Sequence, residues 1–559
     1  MSSLGNVEID EVAFDHGMNP TADECFRHSP YLMVTTILTS LAGVLVGFDV
    51  AVLNGILIMP SFAIAMKAQN FSVGEWATMT SWMTSSLLLG AAMSSPLAAP
   101  LADAVGRKTC INISLSIIFV GGCIQTGANS QYAMIVGRVV VGIAIGLLSS
   151  VVPLYLAELS PKSMRGSIIS LFQVMIAFGI LLAFLVTLAF NDLQENHPYN
   201  WRFILGLQAA MPIVIFLLVL ALPESPRWLI DAGKNENAKS VLMMTRWCQP
   251  IGKRLNSTGE WEIITNIDVE YHMMCLNDGA TTNKRAKWFN FVPLLNPSIL
   301  LRTSNGVIIN ILAQLTGFNS IILYSSTIFA SLGISADKTT AVIGALNVAS
   351  TFASMFLIDR FGRRVLLFCG SVSMCICLCS VAGIVLSTDP TSDPRAARAI
   401  AIFISLFIVS FAYSYGPISW LYPAEIFPKE VRPKGVSLST SAGWLTNFAV
   451  NQSVPYMILP GSAVGGLGGT FLFFAVWTFV MSPWALAHVY ETANLTLEDM
   501  DDVFKVQTFN EYFHYISANL SYSLYNGDKS MREFTSVTAP EIIVTNDASY
   551  STHSVKSIA

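Results

Sequence analysis

A single carboxylate interrupts the first long apolar run of the chain. Asp49 lies in the segment GVLVGFDVAVLNG, residues 43–55, within apolar sequence that begins near Tyr31. An ionised carboxylate near the centre of a lipid bilayer costs roughly 2.5–3.5 kcal/mol. If this run crosses a membrane, Asp49 must therefore be uncharged or paired with a cation. Arg138, in the apolar segment GRVVVG, is the candidate partner, and such a pair can load and release a proton.

Acidic and basic residues recur together at fixed spacing elsewhere in the chain. Residues 103–108 read DAVGRK and residues 359–364 read DRFGRR, while ELSPKSMR begins at Glu158 and EIFPKEVR at Glu425. Arginine binds carboxylates bidentately, and glycine permits the tight turn between the charges. We predict that these residues form a cluster of ion pairs on one side of the molecule, and that the pairs must break before this side opens. Alternatively, the basic residues only fix the orientation of the loops. The predicted cluster contains Asp103, Arg107, Glu158, Arg165, Glu224, Asp359, Arg363, Glu425 and Arg432.

The composition is typical of an integral membrane protein. Of the 559 residues, 53% are hydrophobic and only 12% are charged, whereas soluble domains carry about 25% charged residues. The net charge of −5 and the lack of a basic stripe argue against a nucleic-acid partner. No metal-ligand spacing, P-loop or nucleophile–base set stands out, so we predict neither an enzyme nor a cofactor or metal site.

Twelve apolar segments are long enough to cross a bilayer, which requires about 20 residues of helix. They lie at 31–58, 77–101, 110–127, 132–157, 167–190, 203–222, 302–331, 338–358, 365–387, 397–422, 435–458 and 464–489. The paired charged motifs fall six helices apart and therefore predict a parallel repeat of two halves. The predicted fold class is an all-α membrane protein with twelve transmembrane helices in two six-helix bundles.

The polar segments define the predicted domains and their orientation. We predict an N-terminal tail at 1–30, a first bundle at 31–222, a loop domain at 223–300, a second bundle at 301–490 and a largely disordered tail at 491–559. The distribution of basic residues among the short loops places both termini and the loop domain in the cytoplasm. Asn70, in the sequence NFS, then faces outside as a glycosylation acceptor or as an unused sequon.

Several longer segments resemble a known family. They are GRVVVGIAIG (137–146), PESPRWL (223–229), QLTGFN (314–319), GPISWLYPAEIFP (416–428) and the degraded ETANLTLEDMD (491–501). Together with the charged motifs, they resemble the sugar porter family of the major facilitator superfamily, and its fungal-type hexose and polyol branch most closely. The resemblance covers about residues 31–504. It implies the major facilitator fold with a cytoplasmic helical loop domain, a central sugar site and alternating access.

The resemblance also assigns the sugar site. Amide side chains both donate and accept hydrogen bonds, and aromatic rings offer a plane for the sugar. The matching positions are Gln173, Gln314, Asn319, Asn347, Trp420, Trp444, Asn447 and, near the sugar ring, Phe48. Each amide alone is equally consistent with a hydrogen bond between helices. Ala313 and Gly443 stand where the family commonly has amides, which implies a different substrate or weaker binding.

The function implied by the resemblance is transport of a monosaccharide, with a hexose favoured. Asp49 and Arg138 match the coupling pair of proton symporters, so the expected partners are a sugar, protons and the lipid bilayer, with the protein a monomer in the plasma membrane. One alternative is facilitated diffusion of a hexose, a polyol such as inositol, or a disaccharide. A non-transporting sugar sensor is the other, but residues 505–559 are short and lack repeated motifs.

Overall fold

The computed structural model describes most of the chain. The described residues are 7–9, 29–161, 164–193, 199–246, 250–255, 261–276, 291–331, 336–388, 393–428, 430–459, 462, 464–492 and 504. Most of the two predicted terminal tails therefore lies outside the described residues.

The first half of the chain, which we define as residues 30–220, is helical throughout its described part. Its helices are α1 (Pro30–Ser40), α2 (Ala42–Ile56), α3 (Pro60–Ala65), α4 (Val73–Val105), α5 (Arg107–Thr126), α6 (Gln131–Leu159), α7 (Arg165–Leu193) and α8 (Asn200–Leu220). A short 3-10 helix, Ala68–Asn70, carries the predicted glycosylation acceptor at its exposed last residue.

The segment between the halves mixes helices and strands. It contains α9 (Pro226–Asp231), α10 (Asn235–Thr245) and α11 (Asn266–Leu276), with the 3-10 helix Val292–Leu295. Three short strands, β1 (Val7–Ile9), β2 (Pro250–Leu255) and β3 (Trp261–Thr265), form an antiparallel sheet in that order. The prediction of a purely helical loop was therefore incomplete, because the apolar and β-branched sequence WEIIT favours a strand.

The second half, defined as residues 297–488, is again helical. Its helices are α12 (Pro297–Leu315), α13 (Phe318–Ser331), α14 (Ala336–Phe361), α15 (Arg363–Ser387), α16 (Pro394–Tyr413), α17 (Tyr415–Ile426), α18 (Arg432–Ile458) and α19 (Gly466–His488). We call the end where α4 meets α5 and α14 meets α15 the charged end, and the opposite end, where α14 and α16 begin, the far end.

Eleven helical spans in the described part of the chain are long and apolar enough to cross a membrane. The twelfth predicted span, α18, has 27 residues and hence ample length, but its sequence is too polar to meet the same criterion. Its buried side chains include Ser439, Thr440, Asn447 and Asn451, so this helix turns hydroxyl and amide groups into the protein interior rather than toward lipid. The described part of the chain therefore contains twelve helical spans. One of them, α18, can be polar because its polar side chains are buried within the protein.

Two of the described spans are broken near their middle. The seventh divides into α12 and α13 at Gly317, and the tenth into α16 and α17 at Ser414. The first span is continuous, because Leu41 between α1 and α2 keeps right-handed helical dihedral angles. Gly317 has φ +79°, which glycine adopts without strain. Pro417 lies in the first turn of α17, where a missing N–H leaves no helical hydrogen bond unmade. The break in the tenth span thus falls just before the Gly416-Pro417 pair.

The break at Gly317 gives a test of the fold. A Cβ added at Gly317 would lie 2.6 Å from the ring of Phe474, in a backbone conformation that other residues avoid. We expect Gly317→Ala to lower the free energy of unfolding by about 1–3 kcal/mol, measured as a lower melting temperature in detergent. Gly383→Ala is the control, because nothing lies within 4 Å of its added Cβ. Equal melting temperatures for the two variants would contradict this account of the break.

Candidate functional site

A central cavity lies where the broken helices of the second half face α2 and α7. Its volume is about 50 Å³, and Ile176 and Ile180 of α7 and Val46 and Val50 of α2 form its apolar side. The polar and aromatic lining includes Gln173, Asn310, Gln314, Asn319, Trp420 and Trp444. A single water needs about 10–15 Å³ of such space, so a sugar enters only after the cavity widens.

The break in the seventh span lets two predicted amides share the cavity. Gln314 is the second-last residue of α12 and Asn319 the second residue of α13. They are five residues apart, which on a straight helix would point them to different sides. The break at Gly317 brings them together, and Asn319 Nδ2 donates a 2.6 Å hydrogen bond to Gln314 Oε1. The two amides thus form one polar edge of the cavity.

Aromatic residues connect the two halves across the cavity. Trp420 Nε1 donates a 2.8 Å hydrogen bond to Gln173 Oε1 of the other half, and its ring meets Phe172 edge-on. Trp444 lies 6.3 Å from Trp420 between ring centroids, and its Nε1 donates to Ser149 Oγ at 2.9 Å. The indoles therefore combine a flat apolar surface with a polar edge, which suits a ligand that has both hydroxyl groups and an apolar ring face.

Three predicted sugar-site residues lie away from the cavity lining. Phe48 is fully buried, where α2 packs closely on α7 at Gly179. Asn447 accepts a short hydrogen bond from Asn451, one turn further along α18. Asn347 is buried, and neither of its side-chain polar atoms has a hydrogen-bond partner. In this conformation the structure does not bring these three residues to the cavity.

Asn310 lines the cavity and was missed by the sequence interpretation. Its Nδ2 donates to the carbonyls of Gly306 at 3.0 Å and Ser419 at 3.3 Å. A Cβ added at Gly443 would lie 3.2 Å from Asn310 Oδ1, closer than an ordinary contact, so glycine at this position lets α18 approach the Asn310 amide closely. The available signal was its position one turn before Gln314, on the same face of α12.

Asp49 and Arg138 meet, but not as the expected ion pair. Arg138 Nη1 donates a 2.7 Å hydrogen bond to the backbone carbonyl of Asp49, and its other nitrogens reach the carbonyls of Met83 and Thr84. Both carboxylate oxygens of Asp49 lack a hydrogen-bond partner, although the residue is fully buried. An unpaired buried carboxylate is strongly unfavourable when ionised. The surroundings of Asp49 therefore favour its proton-bound form.

The predicted charged residues assemble at the charged end as two matching clusters. In the first half, Arg107 Nη2 lies 3.2 Å from Asp103 Oδ1 and donates to Glu158 Oε1 at 3.1 Å. In the second half, Arg363 Nη2 lies 3.4 Å from Asp359 Oδ1 and 2.9 Å from Glu425 Oε1. The same three charges thus take the same arrangement twice.

A further carboxylate in each cluster binds backbone N–H groups. Glu224 Oε1 accepts from the N–H groups of Arg107 at 2.8 Å and Lys108 at 3.1 Å, at the start of α5. Burial raises the pKa of Glu224, and these backbone hydrogen bonds oppose that shift. Glu491, which the sequence interpretation missed, accepts in the same way from Arg363 at 2.9 Å and Arg364 at 3.1 Å. Each carboxylate therefore stabilises a helix N-terminus.

Hydroxyl groups complete the two clusters. Ser225 Oγ donates to Glu158 Oε2 at 2.5 Å, and Thr492 Oγ1 donates to Glu425 Oε2 at 2.6 Å. The signal for this second pair was present in the sequence, because ET at 491–492 repeats the ES at 224–225. The degraded tail motif had hidden that correspondence.

Several contacts cross between the halves at the charged end. Ser167 Oγ of α7 donates to Asp359 Oδ2 at 2.7 Å. Arg165 interacts electrostatically with Glu425, and Lys434 with Asp103. Arg432, the last predicted member of the network, donates from Nε to the carbonyl of Phe427 at 3.0 Å, within its own half. The clusters therefore lie directly at the junction that must separate if this end opens.

The far end is joined by uncharged groups instead. Asn54 of α2 donates to Ser325 Oγ at 2.9 Å and accepts from the N–H of Ser326 at 3.1 Å. Ser85 Oγ donates to Gln452 Oε1 at 2.5 Å, and Thr84 Oγ1 lies 3.0 Å from the hydroxyl of Tyr324. Both ends are thus bridged in this conformation, by charges at one end and by neutral hydrogen bonds at the other.

Comparisons with known proteins place the chain among transporters. Residues 35–504 match the family model described as "Sugar (and other) transporter". The H(+)/hexose cotransporter 1 of Parachlorella kessleri is 31% identical over 84% of this chain and 86% of its own length. The high glucose sensor RGT2 of Saccharomyces cerevisiae is also 31% identical, over 86% of this chain but 61% of its own length.

A solved structure has the same overall architecture. The proton:xylose symporter XylE of the major facilitator superfamily matches with a TM-score of 0.70 and 24% identity, covering 85% of this chain and 99% of its own. This similarity confirms the predicted fold class of twelve transmembrane helices in the major facilitator arrangement.

Glu491 provides a test of the second charged cluster. We expect Glu491→Gln to lower the free energy of unfolding by about 1–3 kcal/mol, because the carboxylate stabilises a helix N-terminus beside Arg363. Glu224→Gln should have a similar effect through the matching contacts. The control is Glu430→Gln, an exposed acid near the same end. A melting temperature for Glu491→Gln equal to that of the control would contradict the assigned role.

Proposed function

The chain belongs to the sugar transporter family, and we propose that it carries a hexose across the membrane by alternating access, in symport with protons. It is accordingly a transporter and not an enzyme. The observation that carries the proposal is the amide- and indole-lined cavity at the junction of the halves, beside the helix that holds Asp49.

In the proposed cycle the sugar replaces contacts that close the cavity. Its hydroxyl groups take over the hydrogen bonds that Gln173 now shares with Trp420 and that Gln314 shares with Asn319. The indole planes of Trp420 and Trp444 pack on the apolar ring face. Because each lost hydrogen bond is matched by one to the sugar, opening the cavity costs little when substrate is present.

Alternating access then follows because different contacts close the two ends of the molecule. Opening the charged end requires separating Ser167 from Asp359 and Arg165 from Glu425, while the far end opens by breaking neutral contacts such as Asn54 to Ser325. In this scheme the predicted bundles, 31–222 and 301–490, move as bodies, and the loop domain at 223–300 spans between them. The contacts of the charged clusters hold the two bundles together at the charged end. Three predicted sugar-site residues come nearer the sugar in another conformation: Asn347, Asn447 and Phe48.

The proton site in this scheme is Asp49, and Arg138 is the cation that pairs with it when it ionises. In the described conformation the carboxyl group is buried without a hydrogen-bond partner, and in the proposed cycle this is its protonated state. When the cavity admits water, the acid can ionise and attract the guanidinium of Arg138 away from the backbone carbonyls that hold it. Inward movement of the proton would contribute about 2.3 kcal/mol per 100 mV of membrane potential.

The distribution of charge supports an orientation. Basic loop residues at the charged end favour a cytoplasmic position for that end and for both termini. Asn70, exposed at the far end, is then available for glycosylation. We place the protein in the plasma membrane, as a monomer.

Facilitated diffusion is the second candidate. The observation in its favour is the bond from Arg138 to the backbone of Asp49, which is compatible with a purely structural role for both residues. A polyol or disaccharide is the alternative substrate, because Ala313 and Gly443 stand where the family commonly has amides. A sensor is not favoured, because the matching family model and the similar hexose cotransporter are both described as transporters.

Proton coupling is tested by uptake into liposomes that contain the purified protein. An inward proton gradient should drive accumulation of labelled hexose. We expect Asp49→Asn to abolish this accumulation but to retain exchange of labelled for unlabelled sugar, because the amide neither binds nor releases the proton. Glu430→Gln should retain both activities. Undiminished accumulation by Asp49→Asn would exclude the proton role.

The sugar site is tested by comparing two variants that each replace one glutamine by leucine. Gln173→Leu removes an amide from the cavity, and we expect at least tenfold weaker hexose binding by tryptophan fluorescence or calorimetry. Gln208→Leu is the matched control, because Gln208 is buried in the same half but does not line the cavity. Equal affinities for the two variants would contradict the assignment.

A further inference from the structure

A second concave site lies on the outside of the second half. Helices α14 and α16 leave a groove of about 480 Å³ between them, separate from the central cavity. Its walls are mainly apolar, and Val342 and Ile402 are 58% and 59% exposed. Because both helices are membrane spans, this groove opens toward the acyl chains of the bilayer.

Basic side chains lie at the far-end mouth of the groove. Lys338 lines the groove itself, and Arg398 lies one helical turn before Ile402, with Arg395 above it at the start of α16. All three side chains are exposed. The nearby acid Asp393 accepts a 2.8 Å hydrogen bond from the N–H of Arg395 as the helix cap. The described side chains at this mouth therefore carry a net positive charge.

Within the described part of the chain, no side chain neutralises these three cations. None of the three forms an ion pair with a described residue, and Arg398 uses only its Nε, which donates to the carbonyl of Pro394 at 3.1 Å. Arg202, also at the far end, differs because it packs on Trp201 at 4.8 Å and donates to Asn129 at 2.7 Å. The two arginines moreover stand near the N-terminus of α16, where the helix dipole disfavours a cation.

We propose that this groove binds one anionic phospholipid. Its phosphate lies between Lys338 and Arg398, where an ammonium and a guanidinium supply charge-assisted hydrogen bonds. One acyl chain follows the apolar walls past Val342 and Leu346, away from the mouth. A zwitterionic headgroup would bring its own cation close to three basic side chains, so the site discriminates by headgroup charge. The inference does not depend on which solute the protein transports.

Native mass spectrometry of the full chain in mild detergent tests the site. Phosphatidylglycerol and phosphatidylcholine with identical acyl chains are added in turn. We expect one phosphatidylglycerol to bind the wild-type protein at least fivefold more tightly than the Lys338→Gln/Arg398→Gln variant, and more tightly than phosphatidylcholine binds. Lys67→Gln, which removes an exposed base elsewhere at the far end, should bind like the wild type.

A second variant tests the groove without changing charge. Ala401→Phe fills the groove and should lose the same lipid, whereas Val214→Phe, on an exposed apolar surface of α8, should not. This variant also carries the test if the charge variant does not fold. Phosphatidylglycerol binding that is unchanged by Ala401→Phe, or equal affinity for the two lipids, would overturn the proposal.

Discussion

The structure depends on one constraint: a charge inside the apolar bundle needs a partner supplied by the protein. Arg107 and Arg363 meet it by binding two carboxylates each, and Glu224 and Glu491 meet it by accepting backbone N–H groups at helix N-termini. Removing one partner of such a set leaves an uncompensated buried charge, which costs several kcal/mol. Each cluster is therefore paired within its own half, so in the proposed cycle the halves can separate at this end with both clusters intact.

Asp49 is the exception that gives this constraint a functional meaning. Its carboxyl group is fully buried and unpartnered, while Arg138 is satisfied by three backbone carbonyls. The pair is therefore stable only while the acid holds its proton. In the proposed cycle, hydration of the cavity changes the preferred charge of Asp49 and with it the partner of Arg138, so these two residues would couple protonation to cavity opening.

Much of this arrangement was predictable from the sequence, for identifiable reasons. The helix count, the repeat and most of the charged clusters follow from apolar length and from the spacing of Asp, Gly, Arg and Glu. Asn310 and Glu491 were missed, because a lone amide in an apolar helix and a degraded motif carry weak local signals. The bond from Arg138 to a backbone carbonyl could not be foreseen, because sequence patterns pair side chains and do not show which atom a guanidinium reaches.

The central claim is that Asp49 holds a proton in the described conformation. Infrared difference spectroscopy of the protein in detergent at neutral pH tests it directly, because a protonated carboxyl group and a carboxylate absorb in separate regions. We expect a protonated-acid band that is present in the wild-type protein and absent from Asp49→Asn. A wild-type spectrum in which Asp49 contributes only a carboxylate band would contradict it.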